Sequence, residues 1–326
     1  LNPRETLRRE AARRGFPLAG IARAAALEVE GARLREWLER GYDAGMGWMR
    51  RRIAERTDPR ALLPGARSVV MLAVNYYTPV ERSGRPGDAR ISRYAWGEDY
   101  HAVLGARLEG LAVWMRQVFG GEVVRAWVDT GPLMEKAWAQ RGGIGWIGKH
   151  GNIITRAFGS WVFLGGILTT AELEPDPPAR GLCGSCTRCI DACPTGAIVG
   201  PSVVDSNRCI SYLTIEHRGE IAPALADRLG GWIFGCDICQ DVCPWNRKCA
   251  RPCGEPAFGP RPPHVNPPAA AWAKMTAREF AERFRLTPIR RATHAGLLRN
   301  LRLTGAGSDA APRGEALHHL RRRNST

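Results

Sequence analysis

The chain has 326 residues, and its sequence lacks any apolar run long enough to cross a membrane. The most apolar stretch, residues 161–171, is much shorter than the ~20 residues that a membrane-spanning helix needs. No apolar segment follows the basic residues near the start of the sequence, so no secretory signal is indicated. We therefore expect a cytoplasmic protein that does not bind membranes. We also expect this protein to act as a monomer.

Lysine is also scarce: only four of the 47 basic residues are lysine, and the others are arginine. Against 32 acidic residues they leave a net charge of +15. An arginine bias of this kind can arise from codon composition, so the charge by itself identifies no partner. The charge is unevenly spread, because residues 272–326 hold 11 Arg and one Lys against four acidic residues, a net charge of +8.

No common nucleotide-binding motif occurs in the structural context that it requires. No G-x-G-x-x-G follows a predicted strand, which argues against a nicotinamide or flavin site of the Rossmann type. The glycine-rich segment 145–152 lacks the spacing of a P-loop, because Lys149 is followed by His150. Haem, cobalamin and a bound substrate all stay open as the electron acceptor of a redox site.

The first 182 residues contain no cysteine, and all ten cysteines lie between residues 183 and 253. Such clustering without an export signal indicates metal binding rather than disulfides. The first run has the spacing C-x2-C-x2-C-x3-C-P, which is typical of ferredoxins with two [4Fe–4S] clusters, and its fourth cysteine binds the other cluster. Zinc, the alternative metal, is usually bound by simpler C-x2-C pairs.

The second cysteine group supplies the remaining ligands, with one cysteine displaced upstream of a C-x2-C-x3-C-P run. In such a run, three thiolates wrap around one cluster, and the fourth cysteine points toward the neighbouring cluster. This arrangement predicts two ligand sets. These are Cys183, Cys186, Cys189 and Cys243 for the first cluster, and Cys193, Cys209, Cys236 and Cys239 for the second. Cys249 and Cys253 are left over as spare thiols.

Hydrophobic periodicity and helix-stop signals predict alternating helices and strands up to about residue 175. The predicted elements are a helix from Pro3 to Gly15, a helix over 27–41, a buried strand over 68–77, a helix over 100–120, a strand over 122–130, a helix over 132–143, and a hairpin of 151–155 with 160–170. The fold class is α+β, with three regions. They are an α/β domain over 1–175, a ferredoxin-like module with two [4Fe–4S] clusters over 176–255, and a short basic helical region over 256–326.

Several segments resemble the epoxyqueuosine reductase family, and together they span most of the chain. They are SRYAWGEDYH (92–101), residues 128–155 with VDTGP and GKHGNIIT, GSWVFLGGILTT (159–170), CPTGAI (193–198), DVCPWNR (241–247) and GLLRN (296–300). The resemblance implies that residues 1–175 bind cobalamin and that the chain reduces epoxyqueuosine to queuosine at the wobble position of tRNA. It also implies that electrons from a low-potential donor protein or reductant pass through the two clusters to cobalamin.

By this resemblance, Asp129 is the proton donor. An epoxide oxygen that leaves as an oxyanion must be protonated, and a carboxylic acid whose pKa is raised in a partly desolvated pocket suits that task. The alternative from the residues alone is that Asp129 or Thr130 caps a helix beginning at Pro132.

The resemblance assigns further residues to the site. Tyr100 and His101 support catalysis, although a helix cap at Asp99 with two packed rings would explain them equally. The implied cobalamin contacts are Ser92, Asp129, Asn152, Ile153, Ser160 and Ser211, for which ordinary strand and turn roles stay open.

The basic C-terminal region is the expected tRNA surface, which would meet the anticodon region through phosphate contacts. Its candidate residues are Arg290, Arg291, Arg299 and Arg302, and the alternative is a solvated arginine-rich face. Three other functions stay open at this point. They are a cobalamin- and cluster-dependent reductive dehalogenase, a non-enzymatic dicluster electron carrier, and an RNA-binding module whose clusters are structural.

Overall fold

The computed structural model describes residues 2–83, 85, 88–121 and 123–304, which form a mixed fold of helices and strands. Its strands are β1 (Leu18–Arg23), β2 (Ser68–Asn75), β3 (Arg90–Ile91), β4 (Val123–Trp127), β5 (Trp146–Ile147), β6 (Ile153–Ile154), β7 (Val162–Thr169), β8 (Ile198–Gly200), β9 (Val203–Val204) and β10 (Trp232–Phe234). Residues 305–326 of the predicted basic region lie outside the described residues.

The α-helices vary from one turn to more than five turns. They are α1 (Pro3–Arg13), α2 (Glu28–Glu39), α3 (Ile53–Thr57), α4 (Tyr100–Phe119), α5 (Glu135–Arg141), α6 (Arg188–Asp191), α7 (Ile210–Ile215), α8 (Pro223–Ala226), α9 (Ile238–Asp241), α10 (Pro244–Cys249), α11 (Pro262–Val265), α12 (Ala269–Trp272), α13 (Ala277–Arg283) and α14 (Thr293–Leu303). Short 3-10 helices occur at Gly47–Arg50, Pro59–Ala61, Arg93–Ala95, Pro256–Phe258 and Pro288–Ala292.

Strand β2 lies inside the main sheet, whose antiparallel strands run in the order β1–β2–β7–β4. Every residue of β2 is buried, because the sheet carries a core on each face. Val70 and Leu72 belong to the core that includes α1 and α4, whereas Val69 and Met71 belong to the core that includes α5. The uninterrupted apolar run at 69–74 is therefore the sequence of a strand covered on both faces.

Helix α4 begins at the predicted position, and this start places two site residues. The Asp99 carboxylate accepts a hydrogen bond from the backbone N–H of His101 at 3.0 Å, which satisfies one of the free donors of the first turn. Gly120, with a φ of 67°, ends the helix. Tyr100 and His101 thus occupy the first turn of α4, where they meet the loop that follows β4.

Two predicted elements differ from the structure. Helix α5 begins at Glu135 rather than Pro132, because residues 128–131 bend tightly after β4. The predicted hairpin is wrong: β6 pairs with β5, while β7 joins the main sheet between β2 and β4. Between the two segments, an isolated antiparallel bridge joins Thr155 and Gly159.

The cysteine-rich segment repeats a short unit, in which a four-residue helix (α6 or α9) ends just before Cys193 or Cys243. The proline-rich residues 172–181 that precede it have no helix or strand. C-terminal helices α12 to α14 pack with Trp96 and Phe234 in a further core, so they are built onto the preceding regions. Among the described residues, no helix has the length and apolar character to cross a bilayer.

Candidate functional site

A cavity of about 2340 Å³ opens beside the loop that follows β4. Its walls come from α2, the helix Gly47–Arg50, the starts of α4 and α5, the loop between β8 and β9, α7 and residues 287–293. This volume exceeds the ~300–1,000 Å³ of pockets for drug-sized ligands, so the cavity can hold a large cofactor with part of a substrate. Asp129, Tyr100 and His101 all line it.

Asp129 occupies the apex of a strained turn. Its φ is +58°, in the left-handed region that residues other than Gly, Asn and Asp rarely adopt. The N–H of Thr130 donates to the carbonyl of Val128 at 2.6 Å, which closes a three-residue γ-turn around Asp129. Because a γ-turn with positive φ is the rarer and strained form, the conformation costs about 1–3 kcal/mol.

The Asp129 carboxylate meets two side chains from the first turn of α4. Tyr100 donates its hydroxyl to Asp129 Oδ2 at 2.9 Å, and His101 Nε2 lies 3.5 Å from the same oxygen. The other ring nitrogen of His101, Nδ1, lies 2.7 Å from Asp99 Oδ1. The imidazole is therefore held between two carboxylates, while the Asp129 side chain stays 67% exposed to the cavity.

Neither Asp129 nor Thr130 caps α5, so the capping alternative is wrong. The N-cap position of this helix is Met134, which makes no side-chain cap. Instead, Glu135 reaches back from the first turn, and its Oε1 accepts the backbone N–H of Asp129 at 2.8 Å. Sequence reasoning missed Glu135 because only the turn at 128–131 brings it next to Asp129.

The electrostatics of this group favour an imidazolium between two carboxylates. Burial lowers the pKa of His101, but hydrogen bonds to Asp129 and Asp99 outweigh it and raise this pKa to about 9. The hydrogen bond from His101 lowers the pKa of Asp129 and outweighs burial, and the Tyr100 hydroxyl lowers it further. The expectation of a raised Asp129 pKa is therefore wrong, and the exchangeable proton of the group resides on His101 at neutral pH.

Glu135 and Lys136 extend the charged group along the cavity wall. Burial raises the pKa of Glu135 to about 7, and the charge of Asp129 contributes to this rise. Lys136 lines the cavity, and burial between its walls lowers the pKa of Lys136. Its Nζ donates to the Gly151 carbonyl at 2.9 Å. The sequence analysis did not select Lys136 as a site residue. Lysine is rare in this chain, with only four among 326 residues, and this rarity could have drawn attention to it.

The structure brings part of the predicted cofactor contacts to the cavity. Asp129 and Ser211 line it. Asn152 follows the wall residue Gly151, and its side-chain oxygen lies 3.4 Å from Lys136 Nζ. Ile153 is buried in β6, so its side chain serves the core.

Ser92 and Ser160 lie away from the cavity wall, in buried hydrogen-bond networks. Ser92 is 3% exposed and donates its hydroxyl to the fully buried carboxylate of Asp237. Ser160 is also 3% exposed, and its hydroxyl accepts hydrogen bonds from the side-chain amides of Asn246 and Gln240. For these two serines the prediction of a direct cofactor contact is corrected, since partners within the protein already occupy their hydroxyls.

The cysteine thiols influence one another across the two runs. Burial raises the pKa of Cys189, and nearby Cys243 and Cys183 raise it further. Burial likewise raises the pKa of Cys239, followed by the effect of Cys209 among others. The thiols that act on Cys189 belong to its own predicted ligand set, whereas those that act on Cys239 include Cys209 and Cys193 of its own set and Cys189 of the other. Crowded, desolvated thiols resist ionisation until a bound cation offsets their charge, which suits residues that hold an iron–sulfur cluster.

Within the part of the chain that the structure describes, no three His, Cys, Asp or Glu side chains converge to hold a single metal ion. A [4Fe–4S] cluster distributes its cysteines over four irons, so its ligands need not converge on one point. The backbone N–H of Ala197 donates to Cys193 Sγ at 3.3 Å, a contact of the type that tunes cluster potentials.

The two spare cysteines have other surroundings. Cys253 donates its thiol to the carbonyl of Asn75 at 2.8 Å, and Cys249 is buried in α10. Their places in the fold are explained by packing and hydrogen bonding.

The predicted tRNA-binding arginines have different environments. Arg290 and Arg291 line the cavity, and Arg291 pairs with Glu216 at 2.7 Å and lies over the ring of Trp48. Arg302 is exposed on α14 and does not line the cavity.

Arg299 has a structural role, which corrects its assignment to the tRNA surface. It is 5% exposed, and its guanidinium donates to the carbonyls of Leu213, His217 and Gly219 at 2.7–2.9 Å and to the side chain of Asn300. Its charge therefore joins α14 to the segment around α7 and is not available to a phosphate.

Two family models match the chain, one for each half of the site. The 4Fe-4S double cluster binding domain matches residues 182–246, and the family described as epoxyqueuosine reductase QueG matches residues 56–130. The epoxyqueuosine reductase of Synechocystis sp. is 50% identical over 284 residues, which cover 86% of this chain and 98% of that protein. The chain belongs to the epoxyqueuosine reductase family. The epoxyqueuosine reductase of Cellulophaga algicola is 42% identical over 297 residues, covering 91% of this chain and 96% of that one.

Solved epoxyqueuosine reductases share the fold. The crystal structure of one with a tRNA-Tyr epoxyqueuosine-modified tRNA stem loop has a TM-score of 0.86 at 32% identity, covering 92% of this chain and 80% of that chain. The Bacillus subtilis epoxyqueuosine reductase, in a structure with its catalytic aspartate loop swung out of the active site, has a TM-score of 0.84 at 32% identity with the same coverage. This chain is accordingly an oxidoreductase, and the reductive dehalogenase and electron-carrier alternatives are set aside.

The cofactors of the family, cobalamin and two [4Fe–4S] clusters, fit the residues present. Eight of the ten cysteines form the two predicted sets, in a region that matches a double-cluster domain. The large cavity suits a corrin, because Asp129 opens on it and Lys136 supports the Gly151 turn in its wall.

Proposed function

We propose that this enzyme reduces epoxyqueuosine in tRNA to queuosine, with Asp129 and His101 delivering protons to the departing oxygen. Converting an epoxide to an alkene breaks two C–O bonds, takes up two electrons and two protons, and releases the oxygen as water. The observation that carries the proposal is the Asp129 carboxylate, which Tyr100 and His101 hold at the cavity wall.

The proton path runs through the side chains of this group. His101 is protonated at neutral pH because its pKa is about 9. His101 gives its Nε2 proton to the Asp129 carboxylate, 3.5 Å away, and Asp129 passes this proton to the leaving oxygen. Solvent then reprotonates His101, and the same path delivers the second proton that releases the oxygen as water. Asp99 holds the other ring nitrogen at 2.7 Å and stabilises the imidazolium. Burial raises the pKa of Tyr100 well above its usual range, so Tyr100 orients Asp129 as a neutral donor.

Cobalamin and the two clusters supply the electrons when bound. We infer that the first cluster is held by Cys183, Cys186, Cys189 and Cys243, and the second by Cys193, Cys209, Cys236 and Cys239. For cobalamin we retain Asp129, Ser211 and the backbone of Asn152 and Ile153, which adjoins the wall residue Gly151. We leave Ser92 and Ser160 out of the cobalamin contacts, because Asp237 and Asn246 already engage their hydroxyls.

We further infer that the chain works as three functional regions. Residues 1–175 form the cobalamin-binding catalytic domain, residues 176–255 form the ferredoxin-like module, and residues 256–326 form a basic helical region that contacts tRNA. The low-potential electron donor, the monomeric state and the cytoplasmic location stay predictions from the sequence.

The tRNA surface proposed here follows the rim of the cavity. Arg290 and Arg291 stand on one wall, and Arg33 and Arg51 stand on the wall formed by α2 and the segment before α3. Arg302 extends the basic surface along α14. A base inside a folded anticodon loop must leave its stack to reach Asp129, and basic groups on both walls would hold the flanking phosphates during this extrusion.

The test is an activity assay with alternative substrates. The enzyme, with its clusters and cobalamin, is incubated anaerobically with a chemical reductant and with epoxyqueuosine-containing tRNA. Nucleoside mass spectrometry should show queuosine replacing epoxyqueuosine, whereas a halogenated phenol in place of tRNA should release no halide. Halide release without conversion of the tRNA would contradict the proposal.

A further inference from the structure

We propose that Glu135 is a positioning residue, which holds the Asp129 turn in its active conformation by accepting the Asp129 backbone N–H. The inference rests on the proposed function for the role of Asp129, and it adds a residue that acts through Asp129 rather than on the substrate. Three observations carry it: the strain of the turn, the direction of the Glu135 side chain, and the cost of placing an acid at that position.

The turn needs an external restraint. A positive φ at Asp129 and the short hydrogen bond between Thr130 and Val128 define a conformation that the chain does not favour by itself. Such conformations persist where the surrounding structure over-determines them. Tyr100 and His101 contact Asp129 through its carboxylate and not through its backbone.

Glu135 supplies the backbone restraint. Its Oε1 accepts the Asp129 N–H at 2.8 Å, across the full width of the turn. The backbone N–H of Glu135 donates to the Leu133 carbonyl at 3.0 Å, which fixes the start of α5 and hence the base of the side chain. The turn is thus tied at its apex to the rigid end of a helix.

Placing a carboxylic acid at position 135 is electrostatically unfavourable, so a specific role of this side chain must offset the cost. Burial and the charge of Asp129 both oppose ionisation of Glu135. A carboxylate in the first turn of α5 also favours the helix dipole, but that interaction does not require the side chain to reach Asp129. A substitution by glutamine separates these two roles of Glu135. Glutamine keeps the oxygen that accepts the Asp129 N–H, and it loses the charge that favours the helix dipole.

The test compares Glu135→Gln with Glu135→Leu in the full chain with its clusters assembled. Glutamine retains an oxygen at the position of Oε1, whereas leucine has a similar size and no acceptor. Glu135→Asp serves as a second disrupting variant, since it keeps the charge but is one methylene too short to reach. Cluster absorption and helical circular dichroism establish that each variant is folded.

The first readout is the pKa of His101, measured by NMR titration of labelled histidine and assigned with His101→Gln. This pKa is about 9 because the hydrogen bonds to Asp129 and Asp99 outweigh burial, and Asp129 contributes the larger hydrogen-bond effect. If the turn relaxes, Asp129 moves away, so the pKa should fall by more than one unit in Glu135→Leu and Glu135→Asp and stay near the native value in Glu135→Gln. No substrate is involved, so this result is independent of whether the chain reduces epoxyqueuosine.

The second readout is turnover of epoxyqueuosine-containing tRNA. A misplaced proton donor should lower kcat about ten- to a hundredfold in Glu135→Leu and Glu135→Asp, with KM for tRNA unchanged and with native kcat in Glu135→Gln. A native His101 pKa in the folded leucine variant would overturn the proposal. So would a glutamine variant that behaves like leucine, because the charge and not the acceptor would then matter.

Discussion

His101 Nε2 lies 3.5 Å from Asp129 Oδ2, and this pair forms the proton-bearing group of the site. Its ionisation follows from position: Asp99 and Asp129 flank the ring, so the imidazolium is favoured over the neutral imidazole. The acid in the site is therefore a histidine–aspartate pair rather than an aspartic acid protonated by desolvation. Proton supply and turnover should depend on the charge of His101.

The first prediction concerns pH. Because the pKa of His101 is raised from its ordinary 6.5 to about 9, turnover should decline as pH rises through about 9. The same shift makes the folded state bind the proton more tightly, so its stabilising effect is complete below about pH 6.5 and is lost as pH rises toward 9. His101→Gln should lower kcat about a hundredfold and abolish the decline in turnover at alkaline pH, the alkaline limb of the pH profile. His217→Gln, outside the cavity, is the control and should keep the limb.

The second prediction concerns the clusters. Cys239→Ala removes a predicted ligand of the second cluster, so iron content should fall from about eight to about four atoms per chain, with half of the cluster absorption. Cys249→Ala removes a buried thiol outside both ligand sets and should retain about eight. Iron analysis after anaerobic reconstitution checks both variants. Equal iron loss in the two variants would contradict the ligand assignment.

The third prediction concerns tRNA binding. Arg290→Ala and Arg291→Ala should each weaken binding and reduce the slope of log Kd against log salt by about one, since each removes a phosphate contact. Arg278→Ala, at a side chain that is 87% exposed away from the cavity, is the matched control and should leave the slope unchanged. Fluorescence anisotropy with a labelled anticodon stem loop measures the slope. If Arg290→Ala and Arg291→Ala kept the native slope, as Arg278→Ala should, the RNA would bind another surface.

The fourth prediction concerns stability. Arg299→Ala leaves several buried carbonyls without a donor, so the free energy of unfolding should fall by about 2–4 kcal/mol. Arg302→Ala, an exposed arginine on the same helix, should change it by less than about 0.5 kcal/mol. Denaturant unfolding of the two variants gives the comparison. A stable Arg299→Ala chain with weakened tRNA binding would restore the original assignment of Arg299 to the tRNA surface.

Local features of this protein could be predicted from the sequence, and tertiary ones could not. The start of α4 follows from a short-range signal, the capping residue Asp99, and the cysteine spacing limits which ligands one cluster can share. The roles of Arg299 and Glu135 could not be predicted in this way, because the burial of Arg299 and the turn that precedes Glu135 are features of the folded chain. The arginine of GLLRN is buried beside α7, and Glu135 meets Asp129 only through the bend at 128–131. The same reason explains the wrong hairpin, since β7 finds its partners in β2 and β4, which are distant in the sequence.

The most direct test of the central claim compares the native enzyme with Asp129→Asn in a single turnover. Both proteins, with clusters and cobalamin bound and reduced, are mixed in excess with epoxyqueuosine-containing tRNA, and the nucleosides are quantified by mass spectrometry. The native enzyme should convert epoxyqueuosine to queuosine, and Asp129→Asn should do so at least about a hundredfold more slowly with unchanged tRNA affinity. Conversion by Asp129→Asn at the native rate would contradict the account.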